Sequence, residues 1–246
     1  LAACQRIPDP PAQSGELVVL MRTSPSTYYL NADQQPVGFE YDLVRRLADR
    51  QGWRLRLINA DTLGDMMHRL KRGEAHIAAA RLAITPARKS RMRFGPVYAQ
   101  ERELLVCAEG GRKPAKPEEL VGTGIEVVAG SSHVERLEEM RKTHAELRWK
   151  TIQAPSEETL LERVATGLTD CAVADELSYE VARNYLPALT VAMELGKRDI
   201  AWAVPEWADE GLRKEIDAFF AEAQRTGFIK QLRERYFGHV TRLDQA

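Results

Sequence analysis

The segment from Ile84 to Tyr98 carries the densest set of side chains that could bind an anion. Thr85 can cap a helix by accepting a hydrogen bond from a first-turn N–H group, and Pro86 suits the first helical position. Arg88 projects from that first turn, where its guanidinium can form two parallel hydrogen bonds with a carboxylate. A short basic helix between two apolar strands indicates an anion clamp for a small molecule. The alternative interpretation is a solvated basic helix start.

Two further groups of polar side chains directly follow predicted strands. Gly130, Ser131 and Ser132 open a helix after one strand, so their N–H and hydroxyl groups form a small anion seat. Asp175 follows another strand and supplies a lone carboxylate. A guanidinium and helix-end amides together with one carboxylate match the zwitterion of an α-amino acid. Taken alone, Ser132 and Asp175 have a simpler interpretation as helix-end residues, because Ser and Asp are preferred caps.

The composition limits the classes of function. Of the 246 residues, 44% are hydrophobic and 29% are charged, which is typical of a soluble globular protein. No apolar run approaches the roughly 20 residues of a membrane-spanning helix. Lys and Arg (35) nearly balance Asp and Glu (36), so the charge gives no reason to expect a nucleic acid or an anionic membrane surface as partner.

The first four residues, Leu1-Ala-Ala-Cys4, resemble the lipobox of bacterial lipoproteins, in which cleavage precedes the Cys and the thiol is acylated. The segment 5–15 is polar and rich in Pro, and it is predicted to be a tether. An acylated Cys4 would anchor the chain stably, because it carries more hydrocarbon than a single acyl chain. Gln5 is not the Asp that marks inner-membrane retention, so the resemblance favours the outer membrane.

The cysteine and histidine residues give no metal-ligand spacing. Cys107 and Cys171 lie in apolar strands, where buried free thiols are expected, although a disulfide between them stays open. His68 and His76 are eight residues apart around a turn, and the other three histidines are scattered: His133, His144 and His239. We therefore predict no metal site and no cofactor.

Strand and helix signals alternate along the chain. In the first part, strands are predicted over 17–21, 54–58 and 76–80, and helices over 39–48 and 62–70. After a surface connection at 111–118, strands are predicted over 124–129, 148–152, 171–174 and 199–204, and helices over 131–143, 157–166, 176–184 and 210–236, the last interrupted at Gly227. This alternation predicts an α/β fold with mainly parallel sheets, right-handed crossovers and helices on both faces.

The restart of the pattern predicts two lobes joined by a double crossover. Lobe 1 is assigned to residues 15–104 and 196–240, lobe 2 to 105–195, the lipobox remnant and tether to 1–14, and a tail or linker to 241–246. Hinge strands are expected near 104–108 and 192–199. Ligands of open α/β sheets bind beyond the carboxyl ends of the strands, so the ligand is expected in the interlobe cleft.

Several stretches resemble family 3 periplasmic solute-binding proteins in order and spacing, over residues 15 to about 238: Gly38-Phe-Glu-Tyr-Asp-Leu43, Thr85-Pro-Ala-Arg88, Phe94-Gly-Pro-Val-Tyr98, Gly130-Ser-Ser132 and Ala174-Asp175. Within this group the chain is most similar to the non-catalytic N-terminal module of membrane-bound lytic murein transglycosylases. That similarity depends on 94–98, on 173–175 and on Arg235-Tyr-Phe-Gly-His239. The resemblance implies a periplasmic-binding-protein type II fold.

The resemblance also implies roles for the residues that match the motifs. Arg88 would bind the ligand carboxylate, and Ser132, with nearby backbone N–H groups and Ser131, would share it. Asp175 would bind the α-ammonium group. Many amino-acid binders have Ser or Thr where this chain has Ala83.

Arg81 stands where many amino-acid binders have a small residue. A second guanidinium could bind the extra carboxylate of a peptide or muropeptide, or simply occupy the pocket. Tyr28 or Tyr29 would stack on the apolar part of the ligand.

The first functional hypothesis is a ligand-sensing regulatory module of a lytic murein transglycosylase, which binds an amino acid or a cell-wall-derived peptide. Its expected partners are peptidoglycan or a C-terminal catalytic domain, and its expected location is the periplasm, anchored to the outer membrane through Cys4. The alternative is a stand-alone receptor of an amino-acid ABC transporter, and a third is a dehydratase-like enzyme on the same fold. No catalytic arrangement is evident in the sequence, since Glu40 and Asp42 are explained by their position at a helix start.

Overall fold

The computed structural model describes residues 7–238. The predicted lipidation site Cys4, His239 and the predicted tail at 241–246 lie outside the described residues. The described chain divides into two compact units, which we call unit 1 (residues 7–99 and 199–238) and unit 2 (Gln100–Arg198). Among the described residues, no helix combines the length and the apolar character that crossing a bilayer requires.

Unit 1 contains a buried strand that pairs with a parallel strand on each side. Numbered in chain order, the strands of this unit are β1 (Glu16–Met21), β2 (Tyr29–Leu30), β3 (Pro36–Val37), β4 (Arg54–Asn59), β5 (Ile77–Ala83), β6 (Arg93–Phe94) and the last part of β11 (Leu189–Val204). Strand β1 pairs in parallel with β4 and β5, and β11 is antiparallel to β5 and β6. Strands β2 and β3 form a separate antiparallel pair. All but the first residue of β1 are buried, as expected for a central parallel strand.

The helices of unit 1 are α1 (Pro11–Ser14), α2 (Phe39–Gln51), α3 (Leu63–Lys71), α4 (Pro86–Lys89), α8 (Glu210–Arg225) and α9 (Phe228–Phe237). Helix α2 ends at Gly52, which adopts the left-handed conformation that Gly tolerates without strain. Helix α3 begins after Thr62, whose side chain accepts a hydrogen bond from the N–H of Asp65. The predicted helices over 39–48 and 62–70 are confirmed.

The elements of unit 2 are strands β7 (Ala99–Ala108), β8 (Ile125–Val128), β9 (Lys150–Ile152) and β10 (Cys171–Asp175), helices α5 (Ser132–Arg141), α6 (Glu157–Ala165) and α7 (Glu176–Ala182), and a 3-10 turn over Pro117–Leu120. Strand β8 is parallel to β9 and β10, and β10 is antiparallel to β7. The predicted α/β fold, with mainly parallel sheets and helices on both faces, is confirmed.

Alternation along β7 gives unit 2 two hydrophobic cores, one on each face of its sheet. Leu104 and Val106 pack in the core that contains α6 and α7. Leu105 and Cys107 point to the opposite core, which contains residues of α5. Successive strand residues face opposite sides of a sheet, so a strand covered on both faces is apolar at every position.

Cys107 and Cys171 form a disulfide, so the expectation of free thiols is wrong. The two residues are direct partners in the antiparallel pairing of β7 and β10. Their sequence separation of 64 gave no indication of this register. Sparse cysteine usage therefore does not exclude a single cross-strand bond.

Three elements differ from the sequence-based expectations. Strand β11 begins at Leu189, ten residues before the predicted start. The sequence pattern missed this first part because residues 190–199 are half-buried or exposed. The predicted basic helix is only four residues long. Part of the predicted tether is folded as α1, and the carbonyl of Asp9 lies 3.0 Å from Nε2 of His76.

Candidate functional site

Arg88 is buried in unit 1, with 7% of its surface exposed. The start of helix α4 agrees with the sequence-based prediction. Thr85 Oγ1 accepts a hydrogen bond from the N–H of Arg88 at 3.2 Å, and Pro86 is the first helical residue. One guanidinium N–H donates to the carbonyl of Ala83 at 2.7 Å, which ties the side chain back to β5. The alternative interpretation of Arg88 as part of a solvated helix start is wrong.

Arg81, near the end of β5, is buried and has an unusual backbone conformation. Its φ of +49° lies in the left-handed region, which non-Gly residues seldom occupy. The guanidinium carbon lies 5.5 Å from the centre of the Phe39 ring, within cation–π range. Backbone strain of this kind persists only where surrounding structure enforces it, and it concentrates at functional sites.

Glu40 is fully buried beside Arg81, and the sequence interpretation of this residue was incomplete. Its carboxyl group accepts hydrogen bonds from the Tyr98 hydroxyl and, at 2.7 Å, from the Trp202 indole N–H. Burial raises the pKa of Glu40, although these donors and the nearby Arg81 charge oppose the shift. The sequence did carry a signal, because Glu40 lies three and four residues before the buried Leu43 and Val44 on the apolar face of α2.

Tyr28 is half-buried, and its ring centre lies 6.2 Å from that of Tyr41. The loop that carries Tyr28 packs closely on the start of α2. At Gly38, with φ of +132°, an added Cβ would lie 2.5 Å from the carbonyl oxygen of Thr27. Glycine at this position therefore allows the close approach that fixes the Tyr28 loop against the helix.

In unit 2, Ser131 and Ser132 begin α5 as predicted. Ser131 occupies the N-cap position, but its side chain makes no capping hydrogen bond. Its Oγ is buried and has no hydrogen-bond partner within the described part of the chain. Ser132 is also buried. A buried hydroxyl at a helix N-terminus, where N–H groups and the helix dipole favour an anion, is suited to bind a ligand oxygen.

Asp175 ends β10 and is the N-cap residue of α7, but its carboxylate does not cap that helix. The carboxylate Oδ1 lies 3.4 Å from His133 Nε2. The Asp175 backbone N–H donates to Glu157 Oε2 at 2.8 Å. The interpretation of Asp175 as an ordinary helix cap explains where the residue lies in the chain. It does not explain the contact of its carboxylate with His133.

His133 joins the start of α5 to Asp175, a connection that the sequence analysis missed. Its Nε2 lies 2.8 Å from Glu157 Oε1, and its Nδ1 lies 4.0 Å from Glu103 Oε1. Burial opposes the charged imidazole, but the carboxylates of Glu157, Asp175 and Glu103 outweigh it and raise the pKa of His133 to about 9. Burial would likewise raise the pKa of Glu157, but the His133 charge and hydrogen bond lower it.

His133, Glu157 and Asp175 each offer one atom to a metal ion, and these atoms lie within 4.8 Å of one another. The short Nε2–Oε1 distance is that of a hydrogen bond that carries a proton between the two atoms. A metal ligand histidine has to be neutral, whereas these carboxylates favour the charged imidazole. These three side chains are therefore better suited to share a proton than to bind a metal ion.

The predicted binding residues are divided between the units. Unit 1 holds Tyr28, Arg81 and Arg88, and the latter two flank the turn from β5 into α4. Unit 2 holds Ser131, Ser132 and Asp175, and His133 connects the two serines to the aspartate. In open α/β sheets, the polar side chains that follow the strands lie where ligands bind.

The chain matches the bacterial extracellular solute-binding proteins, family 3, over residues 17–239, and it belongs to that family. Among curated relatives, the membrane-bound lytic murein transglycosylase F of Maricaulis maris is 40% identical over 227 residues, which are 92% of this chain and 50% of the relative. The protein of the same name from Ectopseudomonas mendocina is 35% identical over 98% of this chain and 50% of its own length. The chain therefore spans about half the length of these curated relatives.

Solved structures show the same fold. A variant of ArgBP from T. maritima superposes with a TM-score of 0.81 at 20% identity, over 93% of this chain and 98% of the other. An ancestral arginine-binding protein bound to arginine gives a TM-score of 0.79 at 21% identity, over 91% and 98% of the two chains.

Proposed function

We propose that this chain binds a small zwitterionic ligand, an amino acid or a cell-wall-derived peptide, as the ligand-sensing regulatory module of a lytic murein transglycosylase. One observation carries the proposal: the Ser131 hydroxyl, at the N-cap position of α5, is buried, makes no capping bond and has no hydrogen-bond partner among the described residues. A hydroxyl in that position is available to a ligand oxygen. The names of the curated relatives, which are about twice as long as this chain, support the link to cell-wall cleavage.

The roles of the residues follow from their charge and position. The buried Arg88 guanidinium of unit 1 pairs with the ligand carboxylate. Ser131, Ser132 and the first N–H groups of α5 bind a carboxylate oxygen. Asp175 accepts the α-ammonium group, and Arg81 binds a second carboxylate when the ligand has one. Tyr28 contacts the apolar part of the ligand.

The ligand class can be decided by calorimetry with free L-amino acids, including L-arginine, and with peptidoglycan stem peptides. A regulatory module for cell-wall cleavage binds the stem peptides more tightly, since they offer a second carboxylate to Arg81. The second candidate function, an amino-acid receptor of a transporter, is favoured by the fold of the arginine-binding proteins. Tighter binding of a free amino acid than of any stem peptide would favour that candidate.

Substitution of Arg88 tests the clamp itself. We expect Arg88→Ala to weaken binding of carboxylate ligands by about 2–5 kcal/mol, because the ligand charge is buried without its partner. Arg88→Lys restores part of the affinity, since an ammonium group cannot form two parallel bonds. The exposed Arg91 is a matched control, and Arg91→Ala keeps wild-type affinity. Equal affinity of wild type and Arg88→Ala for every ligand found would contradict the proposal.

We also propose a periplasmic location, with lipidation of Cys4 as the membrane anchor. The support is the extracellular family and the lipobox-like sequence Leu1-Ala-Ala-Cys4. Mass spectrometry of the N-terminal peptide from the native host measures the acyl mass on Cys4. An unmodified Cys4 within an intact longer N-terminus would contradict the anchor.

A further inference from the structure

His133 is the meeting point of three carboxylates from three different elements of unit 2. Its side chain is 1% exposed. Glu157 of α6 and Asp175 of β10 face its Nε2 at 2.8 and 3.4 Å, and Glu103 of β7 faces its Nδ1 at 4.0 Å. The Nδ1–Oε1 distance is too long for a hydrogen bond, and Nδ1 has no hydrogen-bond partner among the described residues. Three carboxylates around one buried ring nevertheless favour its positive charge.

Two further cations near this cluster are directed at Glu103. Arg136 Nε of α5 lies 2.6 Å from one Glu103 oxygen, and Arg198 Nε of β11 lies 2.9 Å from the other. Two guanidinium groups thus balance the fully buried Glu103 carboxylate. The charge of His133 is directed at Glu157 and Asp175, which together carry two negative charges when ionised.

We propose that His133 is a positioning residue of the ligand site, whose imidazolium keeps Asp175 and Glu157 ionised together and thereby presents Asp175 as a full negative charge to the ligand ammonium group. This inference rests on the proposed function of Asp175. It adds a residue that belongs to no sequence motif of the site. Glu157 takes part as well, because its Oε2 accepts the backbone N–H of Asp175 and fixes the end of β10.

The physical reason is the repulsion between neighbouring carboxylates. Two carboxylates that share a site without a cation raise each other's pKa, so that one of them keeps a proton to a higher pH than it otherwise would. Asp175 would then spend part of its time as a neutral acid and would bind an ammonium group weakly. With the imidazolium in place the trio has one net negative charge, which a single ammonium group neutralises. The raised pKa of His133 and the lowered pKa of Glu157 agree with this arrangement.

The protonation state can be tested without any ligand, by NMR titration of the histidine rings in the intact chain. We expect the His133 ring to stay charged to about pH 9 in wild type, and its midpoint to fall in Glu157→Gln. His144, in the same unit and 23% exposed, is the internal control. A His133 ring that is neutral at pH 7 in wild type would overturn the inference.

The effect on recognition can be tested with L-Ala-γ-D-Glu-meso-diaminopimelate and its N-acetylated form, by calorimetry at pH 6 and pH 8. In His133→Gln, we expect the affinity for the free amine to fall about tenfold at pH 6 and less at pH 8, where both carboxylates ionise again. The acetylated form changes less than about twofold. Wild type and His144→Gln are measured at both pH values as references, because Glu158, with a pKa of about 7, and the amino group of the ligand titrate over the same range in every variant. Circular dichroism checks folding, and Glu157→Gln provides a second variant.

The outcomes separate the inference from the proposed function. An equal loss for both peptides, or the same loss at both pH values, would mean that His133 is only structural and would overturn the inference. Binding of Zn²⁺ alone at micromolar concentration, if that binding is lost in His133→Gln, would also overturn the inference. A metal ion would then take the place of the proton. If wild type binds neither peptide, the proposed function fails for this ligand, and the NMR titration alone decides whether His133 is the cation of the cluster.

Discussion

Each unit has a glutamate near its predicted binding residues whose pKa is shifted, and the two shifts have opposite directions. Glu40 in unit 1 receives hydrogen bonds from a phenol and an indole, and burial raises its pKa. Glu157 in unit 2 lies 2.8 Å from the His133 imidazole, and its pKa is lowered despite burial. At Glu40, burial outweighs the hydrogen bonds and the Arg81 charge, whereas at Glu157 the charge and hydrogen bond of His133 outweigh burial.

The comparison indicates how the predicted binding residues are held in each unit. In unit 1, Arg81 and Arg88 are held by aromatic and backbone groups, namely the Phe39 ring and the Ala83 carbonyl. In unit 2, Asp175 is held by a network of charges. Unit 1 should therefore tolerate changes of carboxyl charge, and unit 2 should respond strongly to them and to pH.

The largest expected effect comes from replacing each buried glutamate by its uncharged amide. We expect Glu157→Gln to lower the free energy of unfolding by about 3 kcal/mol at pH 7, because the buried His133 charge loses a partner. Glu40→Gln should cost less than about 1 kcal/mol, since the amide oxygen still accepts a hydrogen bond. Urea denaturation followed by Trp fluorescence measures both. Similar losses in the two variants would contradict the distinction between the units.

The pH dependence of stability should also separate the units. The pKa of His133 is raised to about 9, so its contribution is fully present below the unfolded value of about 6.5 and is lost as the pH rises through 9. We expect unit 2 to lose on the order of 2–3 kcal/mol over that range. Hydrogen exchange resolved by residue measures it, with His144→Gln as the control. His133→Gln should remove the dependence, and an unchanged slope in that variant would assign it to another group.

Glu158 is a second buried carboxyl group in unit 2, with one oxygen that has no hydrogen-bond partner in the described chain. Burial, together with the Glu157 charge, raises its pKa to about 7. Folding therefore favours the protonated form, and stability falls as the pH rises from about 4.5 through 7. We expect Glu158→Gln to stabilise the protein by about 1–2 kcal/mol at pH 8 and to change little at pH 4. Thermal unfolding at both pH values measures the gain, and a loss at pH 8 would contradict this.

The smallest expected effect compares a helix cap in each unit. Thr85 caps α4 through a hydrogen bond to Arg88, whereas the Ser131 side chain makes no capping bond at α5. We expect Thr85→Ala to cost about 1 kcal/mol and Ser131→Ala less than about 0.5 kcal/mol. Ser131→Ala should still weaken ligand binding if its hydroxyl contacts the ligand. Denaturant unfolding of the two variants measures the difference, and a larger loss for Ser131→Ala would assign that hydroxyl a structural role.

The sequence was sufficient for features that depend on neighbouring residues. Helices α2, α3, α5 and α6 follow from apolar periodicity, and the start of α4 follows from Thr85 and Pro86. The residues at the ends of β5 and β10 were found because polar side chains interrupt apolar runs there. These signals are local, so they survive without knowledge of the packing.

The sequence did not reveal features that depend on pairs of residues far apart in the chain. Glu40 and Trp202 are 162 residues apart, and the Glu103 and Asp175 positions meet only through the register of β7 and β10. His133 looks like an isolated residue until α6 and β10 are placed beside it. A buried charge is recognisable only when its partner is known, because hydrophobic patterns say where a residue lies and not what it faces.

The bond between Cys107 and Cys171 closes a loop across 64 positions, which encloses β8, α5, β9 and α6. In the chain-entropy account, a cross-link over such a loop stabilises the folded state by about 4 kcal/mol. Disulfides persist in oxidising compartments and are reduced in the cytosol. Unit 2 of this member of an extracellular family is therefore more stable in oxidising surroundings, where the cross-link persists, than in reducing ones.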